Sequence, residues 1–329
     1  MKKALLLSLA AFCLALLLPN LLRRTAVRPV VAAPALRPES ETASPAGPDG
    51  SVTVTLLHDG EVLTLTMAEY LPGAVAGEMP ASFAAEALRA QAVASRTYAL
   101  RRAGQARSRH PQAALCDDPG CCQRWLDEEQ RRALWGAEYD RWAAAVEAAE
   151  QDTDGAILVS GGEPILACFH ASSPGRTESS AAVWGAALPY LVSVDSPESA
   201  ETVPGFVTEA VFSPEEFRAA VLDAHPAAGL TGKPETWLGQ RVTDAAGRTA
   251  LLQVGDAALT GTELRQLFSL RSAAFTLEWT GESFLFTVTG SGHGAGMSQY
   301  GANVMAAEGA SWQEILAHYY PGTELGLMA

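Results

Sequence analysis

YLPGAVAGEMPASFAAEALRAQAVASRTY, residues 70–98, sets a short Pro- and Gly-rich helical turn directly ahead of an alanine-rich helix and leaves one carboxylate, Glu78, at the joint. Pro72 suits the first turn of a short helix, where its missing N–H costs nothing, and Pro80 stops that helix from running on. The turn therefore spans about Leu71 to Glu78. At helical spacing Leu71, Ala74 and Val75 share a face with Glu78, so the carboxyl meets apolar neighbours; it also lies near the negative end of the turn's dipole. Both effects raise its pKa. A carboxyl that keeps its proton near neutral pH can hand it to a leaving oxygen, as cleavage of a glycosidic bond requires. The competing reading is an ordinary helix-end carboxylate in water.

Around this stretch the alternation of Val52, Val54 and Leu56 with Thr53 and Thr55, and of Leu63, Leu65 and Met67 with Thr64 and Thr66, predicts a hairpin turning at His58-Asp59-Gly60. The alanine-rich helix is predicted over about Phe83–Arg102, and a second helical stretch over about Trp125–Glu150. Ala156–Ser160 and Pro164–His170 flank Gly161-Gly162 as another hairpin, and Phe275–Trp279 pairs with Phe284–Val288 across Gly281. Ser213-Pro214-Glu215-Glu216 and Ser311-Trp312-Gln313-Glu314 read as capping boxes that open helices. Short antiparallel strands with segregated helices make the fold class α+β, a mixed core.

Composition bounds what such a fold can bind. The 329 residues are 48% apolar, enough for a packed core, and carry a net charge of −14. Residues 1–37 hold six basic side chains (Lys2, Lys3, Arg23, Arg24, Arg28, Arg37) and no acidic one, so the remainder carries about −20. That excess argues against nucleic acid, whose phosphates need clustered Lys and Arg, and favours a neutral or sugar-like ligand. Ala4–Leu18 is apolar and extends to Leu22 between flanking charges, a length that just spans a bilayer. We read residues 1–24 as an uncleaved transmembrane signal anchor; a cleaved signal peptide competes, since Ala32, Ala33 and Ala35 are small. Residues 25–50, with five prolines between Pro29 and Pro48, read as an extended tether with a reach on the order of 60 Å. Residues 51–329 are then the folded domain.

Three further clusters carry chemistry. His110, Cys116 and Cys122 stand at H-x5-C-x5-C within SRHPQAALCDDPGCCQRW, an imidazole and two thiols of the kind zinc takes. Cys121 is open as a fourth ligand or as a replacement for Cys122, and a disulfide from Cys116 to Cys121 or Cys122 is the metal-free alternative. The loop from His170 through Ser173 to Arg176 and Thr177 is dense in hydroxyl, guanidinium and imidazole groups suited to sugar hydroxyls and acetamido groups. Ser173 beside His170 lacks the G-x-S-x-G elbow of a serine hydrolase. Gly290–Met297 follows a strand and opens a helix, but its glycines fail the G-x-G-x-x-G spacing of a dinucleotide loop. They let the backbone approach a ligand closely, and the bland reading of His293 is a hydrogen-bonded structural imidazole. Arg96 and Tyr98 lie on the helix after Glu78, where the structural reading has Arg96 pairing with a carboxylate and Tyr98 filling core.

YLPGAVAGEMP, EALRAQAVASRTYAL, GRTES with VWG and PYLVSVDSP, and GHGAGMSQYGA resemble, in order, the signature segments of the stage II sporulation protein D family, over about Val52–Leu327. The resemblance implies a membrane-anchored lytic transglycosylase with its catalytic domain extracytoplasmic, in the intermembrane space of a sporulating cell. Glu78 would be its single acid/base, and peptidoglycan glycan strands stripped of stem peptides its substrate. It implies a zinc ion on His110, Cys116 and Cys122, a groove lined by His293, Ser298, Gln299 and Tyr300, an RTY element close to that groove with Arg96 and Tyr98 binding substrate or Arg96 fixing Glu78, and septal wall remodelling during engulfment beside stage II sporulation proteins P and M; a homodimer is left open. Two departures stand out: Ala171 and Pro174 in the His170 loop, and Ser291 where the family usually has Trp. The rival functions are a non-catalytic wall-binding module that enhances an amidase, and a zinc amidase.

Overall fold

In the computed structural model, which describes residues 47–105 and 109–328, the chain enters through a one-turn helix α1 (Pro48–Ser51) and the hairpin of β1 (Thr53–His58) and β2 (Glu61–Thr66). Asp59 and Gly60 both take positive φ, 48° and 85°, as a two-residue I′ loop demands. Helix α2 (Met67–Glu78) follows at once, four residues earlier than expected. Its start is a capping box in Thr-Met-Ala-Glu: the Thr66 hydroxyl accepts the Glu69 N–H, and the Glu69 carboxylate takes back the Thr66 N–H. Pro72 therefore lies inside the helix and not in its first turn. It deprives the Ala68 carbonyl of its helical donor.

Helix α3 (Ala85–Ala103) is the spine of the fold, with Ala87, Ala90, Ala92, Val93 and Ala94 fully covered. Next, β3 (Leu115–Cys116) runs parallel to β1, which fixes Cys116 against the hairpin. The single helix expected over residues 125–150 is two, α4 (Glu128–Trp135) and α5 (Tyr139–Gln151), split by a 3-10 turn that starts at Gly136 with φ 51°. An Asp127/Gln130 capping box starts α4. Gly161-Gly162 joins β4 (Ala156–Ser160) to β5 (Glu163–Pro164), which ends short of the expected His170. Pro164 has no N–H to give the ladder, and beyond Ile165, whose N–H still reaches Leu158, the chain leaves the sheet.

The second half comprises β6 (Phe169–His170), α6 (Ser180–Trp184), β7 (Val207–Phe212), α7 (Pro214–Ala224), β8 (Leu238–Thr243), β9 (Thr249–Val254), β10 (Ala257–Thr260), α8 (Gly261–Leu267), β11 (Phe275–Trp279), β12 (Phe284–Thr289), β13 (Met297–Ser298), α9 (Gln299–Ala307), α10 (Trp312–Tyr319) and β14 (Glu324–Leu327). The Ser213 and Ser311 capping boxes and the β11–β12 hairpin form as expected. The sheets are small, in orders β2-β1-β3, β14-β4-β5, β13-β6, β10-β9-β8 and β11-β12-β7, mostly antiparallel, so the α+β class stands. One core gathers Val93, Leu158, Ile315 and Tyr319 around α3; another stacks Phe217 on Phe284, with ring centroids 4.0 Å apart, beneath β7, β11 and β12.

The anchor assigned to residues 1–24 lies outside the described residues, as does the tether through residue 46. Among the described residues no helix is long and apolar enough to cross a membrane. The tether's expected end at residue 50 moves forward: Pro48–Ser51 is helical, and Asp49 is buried beneath the domain because its carboxylate serves Arg96.

Candidate active site

Glu78 is the last residue of α2, and the close approach of the loop beyond Cys122 decides its surroundings. A Cβ at Gly77 would lie 2.7 Å from the Arg124 carbonyl oxygen, and one at Gly73 2.3 Å from Trp125 Nε1, so only glycine lets this loop lie on the helix. The contact delivers the Arg124 N–H to Glu78 Oε1. Burial pushes the Glu78 carboxyl up to about 7, against the opposing pull of the Arg124 N–H and charge.

Two cavities meet at this side chain. One of about 810 Å³ is walled by Met79, Pro80, Leu126, Leu134, Trp135 and Trp142. The other, about 320 Å³, is walled by Tyr98, Cys121, Cys122, His170, Trp184 and His293. Both fall in the size range of ligand clefts. Among the described residues Glu78 is the only carboxylate on either wall. Trp135 and Trp142 were missed in the sequence; their only signal was a seven-residue spacing in a stretch read as one helix.

His170 and His293 face each other across the smaller cavity, with centroids 5.7 Å apart, and Trp184 lies 5.1 Å from His293. His170 Nδ1 lies 3.3 Å from the Ala295 carbonyl, which can only accept, so Nδ1 carries the proton and Nε2 accepts the Ser173 hydroxyl at 2.6 Å. Burial holds both imidazoles neutral: His170 is well below its ordinary value, and His293 falls to about 4 with further repulsion from Arg265 and Arg248. Tyr98 is pushed up to about 12, chiefly by burial, and remains a phenol, accepting Arg102 Nε–H at 2.9 Å.

The remaining expected residues line neither cavity. Arg96 is fully buried and forks onto both oxygens of Asp49, which is the structural alternative and not the substrate contact. Ser173 and Ser298 are interior; the Ser173 N–H and Ser298 hydroxyl converge on Glu198, which also receives Ser196. Glu198 was not singled out in the sequence, since nothing local marks a carboxylate that ties two distant loops. Gln299 donates to Gln91 at 3.3 Å, Thr177 accepts the Val194 N–H, and Tyr300 packs edge-on to Phe83. Arg176 pairs with Asp195 on the surface. Of the Gly-rich loop's expected groove residues, His293 alone reaches the cavity: α9 starts at Gln299, which with Ser298 is buried, while Tyr300 is half-buried against Phe83.

The ligand atoms of His110, Cys116, Cys121 and Cys122 all lie within 4.8 Å of one another, and the cysteines are free thiols. His110 Nδ1 donates to the Ala113 carbonyl at 2.8 Å, which fixes the tautomer and presents the Nε2 lone pair to Cys122 Sγ at 3.3 Å. An imidazole and three thiols converging in this way fit zinc, and four donors complete its tetrahedron as in structural sites. Cys121 and Cys122 also form wall of the smaller cavity, so the cluster shapes the cleft. His58 braces the same loop, with Nδ1 2.7 Å from Asp117 and its ring edge-on to Trp125.

A sequence profile of the family described as Stage II sporulation protein matches residues 59–159, the segment holding Glu78 and the His-Cys cluster. The chain is 35% identical over 280 residues to stage II sporulation protein D of Bacillus subtilis (strain 168), covering 84% of this chain and 78% of that one. Its identity to stage II sporulation protein D of Bacillus amyloliquefaciens is 35% over 277 residues, with the same shares. It is also 25% identical over 306 residues to the amidase enhancer of Bacillus subtilis, 78% of this chain and 40% of that protein. The chain belongs to the stage II sporulation protein D family.

Proposed function

We propose that the protein is a lytic transglycosylase that cuts peptide-stripped peptidoglycan strands between N-acetylmuramic acid and N-acetylglucosamine. The observation that carries this reading is the solitary carboxyl, raised to about 7, where two cavities meet. Hydrolytic glycosidases use two carboxylates, and here one must serve twice. Protonated Glu78 gives its proton to the bridging oxygen as the bond to muramic C1 breaks. The resulting carboxylate takes the proton of the muramic 6-hydroxyl, whose oxygen closes on C1 to leave a 1,6-anhydro end. Glu78 is then protonated again and no water is used. The cavities on either side supply room for the sugars flanking the scissile bond, Trp135 and Trp142 offer stacking faces, and the Tyr98 phenol, which accepts from Arg102, can donate to a sugar hydroxyl.

Because the first step needs the acid, kcat/KM on peptide-free strands should be highest below pH 7 and fall about tenfold per unit above it, as the proton leaves a group whose value is about 7. A rate profile from pH 5 to 9 with mass analysis of the ends tests this. A flat profile, or ends without the anhydro ring, would remove the reading; a non-catalytic enhancer of an amidase, the role in the name of the amidase enhancer, would give no new ends.

Zinc on His110, Cys116, Cys121 and Cys122 belongs to the same proposal, and the ion when bound supplies a cross-link for the loop over Glu78. Elemental analysis should find one zinc per chain, and chelation should lower Tm by at least about 5 °C. Zinc absent from purified, fully active protein would exclude it. We place the domain outside the cell membrane, held by residues 1–24, and working on the septal wall with stage II sporulation proteins P and M.

A further inference from the structure

His293 is shared between the cavity beside Glu78 and a smaller one of about 160 Å³ behind it, walled by Glu178, Val183, Asp244, Arg248 and Thr249. Arg248 is 2% exposed, yet among the described residues none of its guanidinium nitrogens meets an acceptor. Its backbone is fixed, the N–H bound by Asp244 at 2.9 Å, and the guanidinium lies against Gly294, where a Cβ would come within 2.4 Å of it. The Gly294 backbone, at φ 90°, therefore supports a guanidinium that Glu178 and Asp244 attract by charge but that no acceptor among the described residues hydrogen-bonds. A second polar atom is unmatched beside it. Glu178 Oε1 accepts the Ser179 N–H, but its Oε2 is buried without a partner. Burial, and then the Asp244 carboxylate beside it, pushes this carboxyl up to about 7; its acid form has one proton, for which Asp244 and an incoming anion compete.

A buried guanidinium without an acceptor is costly, and an oxyanion accepting two of its N–H groups removes the cost. The volume is below the roughly 300 Å³ at which clefts for larger ligands begin, so a sugar ring is excluded. Asp244 beside the site disfavours a dianion such as phosphate. We propose that Arg248, assisted by the Glu178 acid, forms a carboxylate-binding subsite adjoining the cleft. Resting on the function proposed above, its occupant is the lactyl carboxylate of a muramic acid whose stem peptide has been removed. A peptide-bearing muramic acid has an amide there, without the charge, so the subsite would select stripped strands. The same chemistry could also be met by a free short-chain carboxylate.

Two measurements separate these sources. In the first, D-lactate replaces chloride at constant ionic strength; at tens of millimolar it should raise Tm of the whole protein by about 2 °C or more, and Arg248→Met should abolish the shift. Glu178→Ile, which removes the second donor, reads the same way if Arg248→Met does not fold. In the second, strands whose lactyl carboxylates have been converted to methylamides should show KM raised about tenfold for the wild type and unchanged for Arg248→Met, the loss expected for one charge-assisted contact. The lactate effect alone supports the subsite with a free carboxylate as occupant, and a KM effect with or without it assigns the glycan. Neither effect in the wild type overturns the proposal. Absence of all cleavage with the lactate response intact counts against the Glu78 mechanism and leaves the subsite standing.

Discussion

Glu78→Gln should lower the release of anhydro ends from peptide-free strands by about 10³-fold or more while the protein remains folded. The amide keeps the shape of the carboxyl and an oxygen to accept the Arg124 N–H, but it has no proton to give and cannot take one back. A positioned acid/base contributes about 10² to 10⁴ in rate, and here one group acts in both steps, so the expected loss is near the upper end, roughly 4 kcal/mol of barrier. The same substitution separates catalysis from stability. A carboxyl raised to about 7 by the fold favours the native state below its unfolded value of 4.5, and that contribution is lost as pH rises through about 7. Glu78→Gln has no such group to lose, so by urea denaturation it should match the wild type at pH 5 and exceed it at pH 8. A variant that still made anhydro ends at the wild-type rate would show that another group moves the proton.

Asp49→Ala should destabilise the fold by about 3–5 kcal/mol, the effect of removing one partner from a buried ion pair. Arg96 is 0% exposed in the middle of α3; Asp49 Oδ1 accepts its Nε–H at 2.7 Å, Oδ2 takes a second N–H, and the Ala156 carbonyl is 3.0 Å from Nη1. Without Asp49 the guanidinium keeps only neutral acceptors. Glu150 blunts the loss, since its carboxyl is raised to about 7 by burial and then by Asp49, and it ionises more readily once Asp49 is gone. The companion Arg96→Met in the Asp49→Ala background should recover more than half of the stability, because two apolar groups leave no stranded charge. Chemical denaturation of the single and double variants measures this. If Arg96 instead contacted substrate, stability would hardly move and KM would rise.

The hairpins at Asp59-Gly60 and Gly281 and the boxes at Ser213 and Ser311 were legible because each depends on residues within a few positions of one another, whereas at Glu78 only the apolar helix face was local and the covering loop at Arg124 comes from 46 residues downstream. The Thr66 box was equally local but hidden, since Met67 completes the alternation of β2 and drew the strand past its end. Gly136 was passed over inside a strongly helical composition, and β8–β10 carry too few alternating apolar residues to stand out. At the site, side chains close to Glu78 in space were assigned from motifs, and motifs do not say which way a side chain points. Ser298, Gln299 and Tyr300 follow His293 closely, yet at the start of α9 Ser298 and Gln299 turn inward and Tyr300 packs on Phe83. Arg96 looked the same on either reading, because its partner lies 47 residues upstream in a stretch whose prolines suggested a tether.

That partner's position bears on mechanics. Asp49 sits within the first turn of the folded body and is clasped by the central helix, so a pull arriving from the amino-terminal side is resisted at the Asp49–Arg96 fork before it reaches the β1–β2 ribbon. Load from that side would fall first on α3, the helix that also carries Tyr98 of the cleft, much as a strain relief takes the pull ahead of the connector behind it.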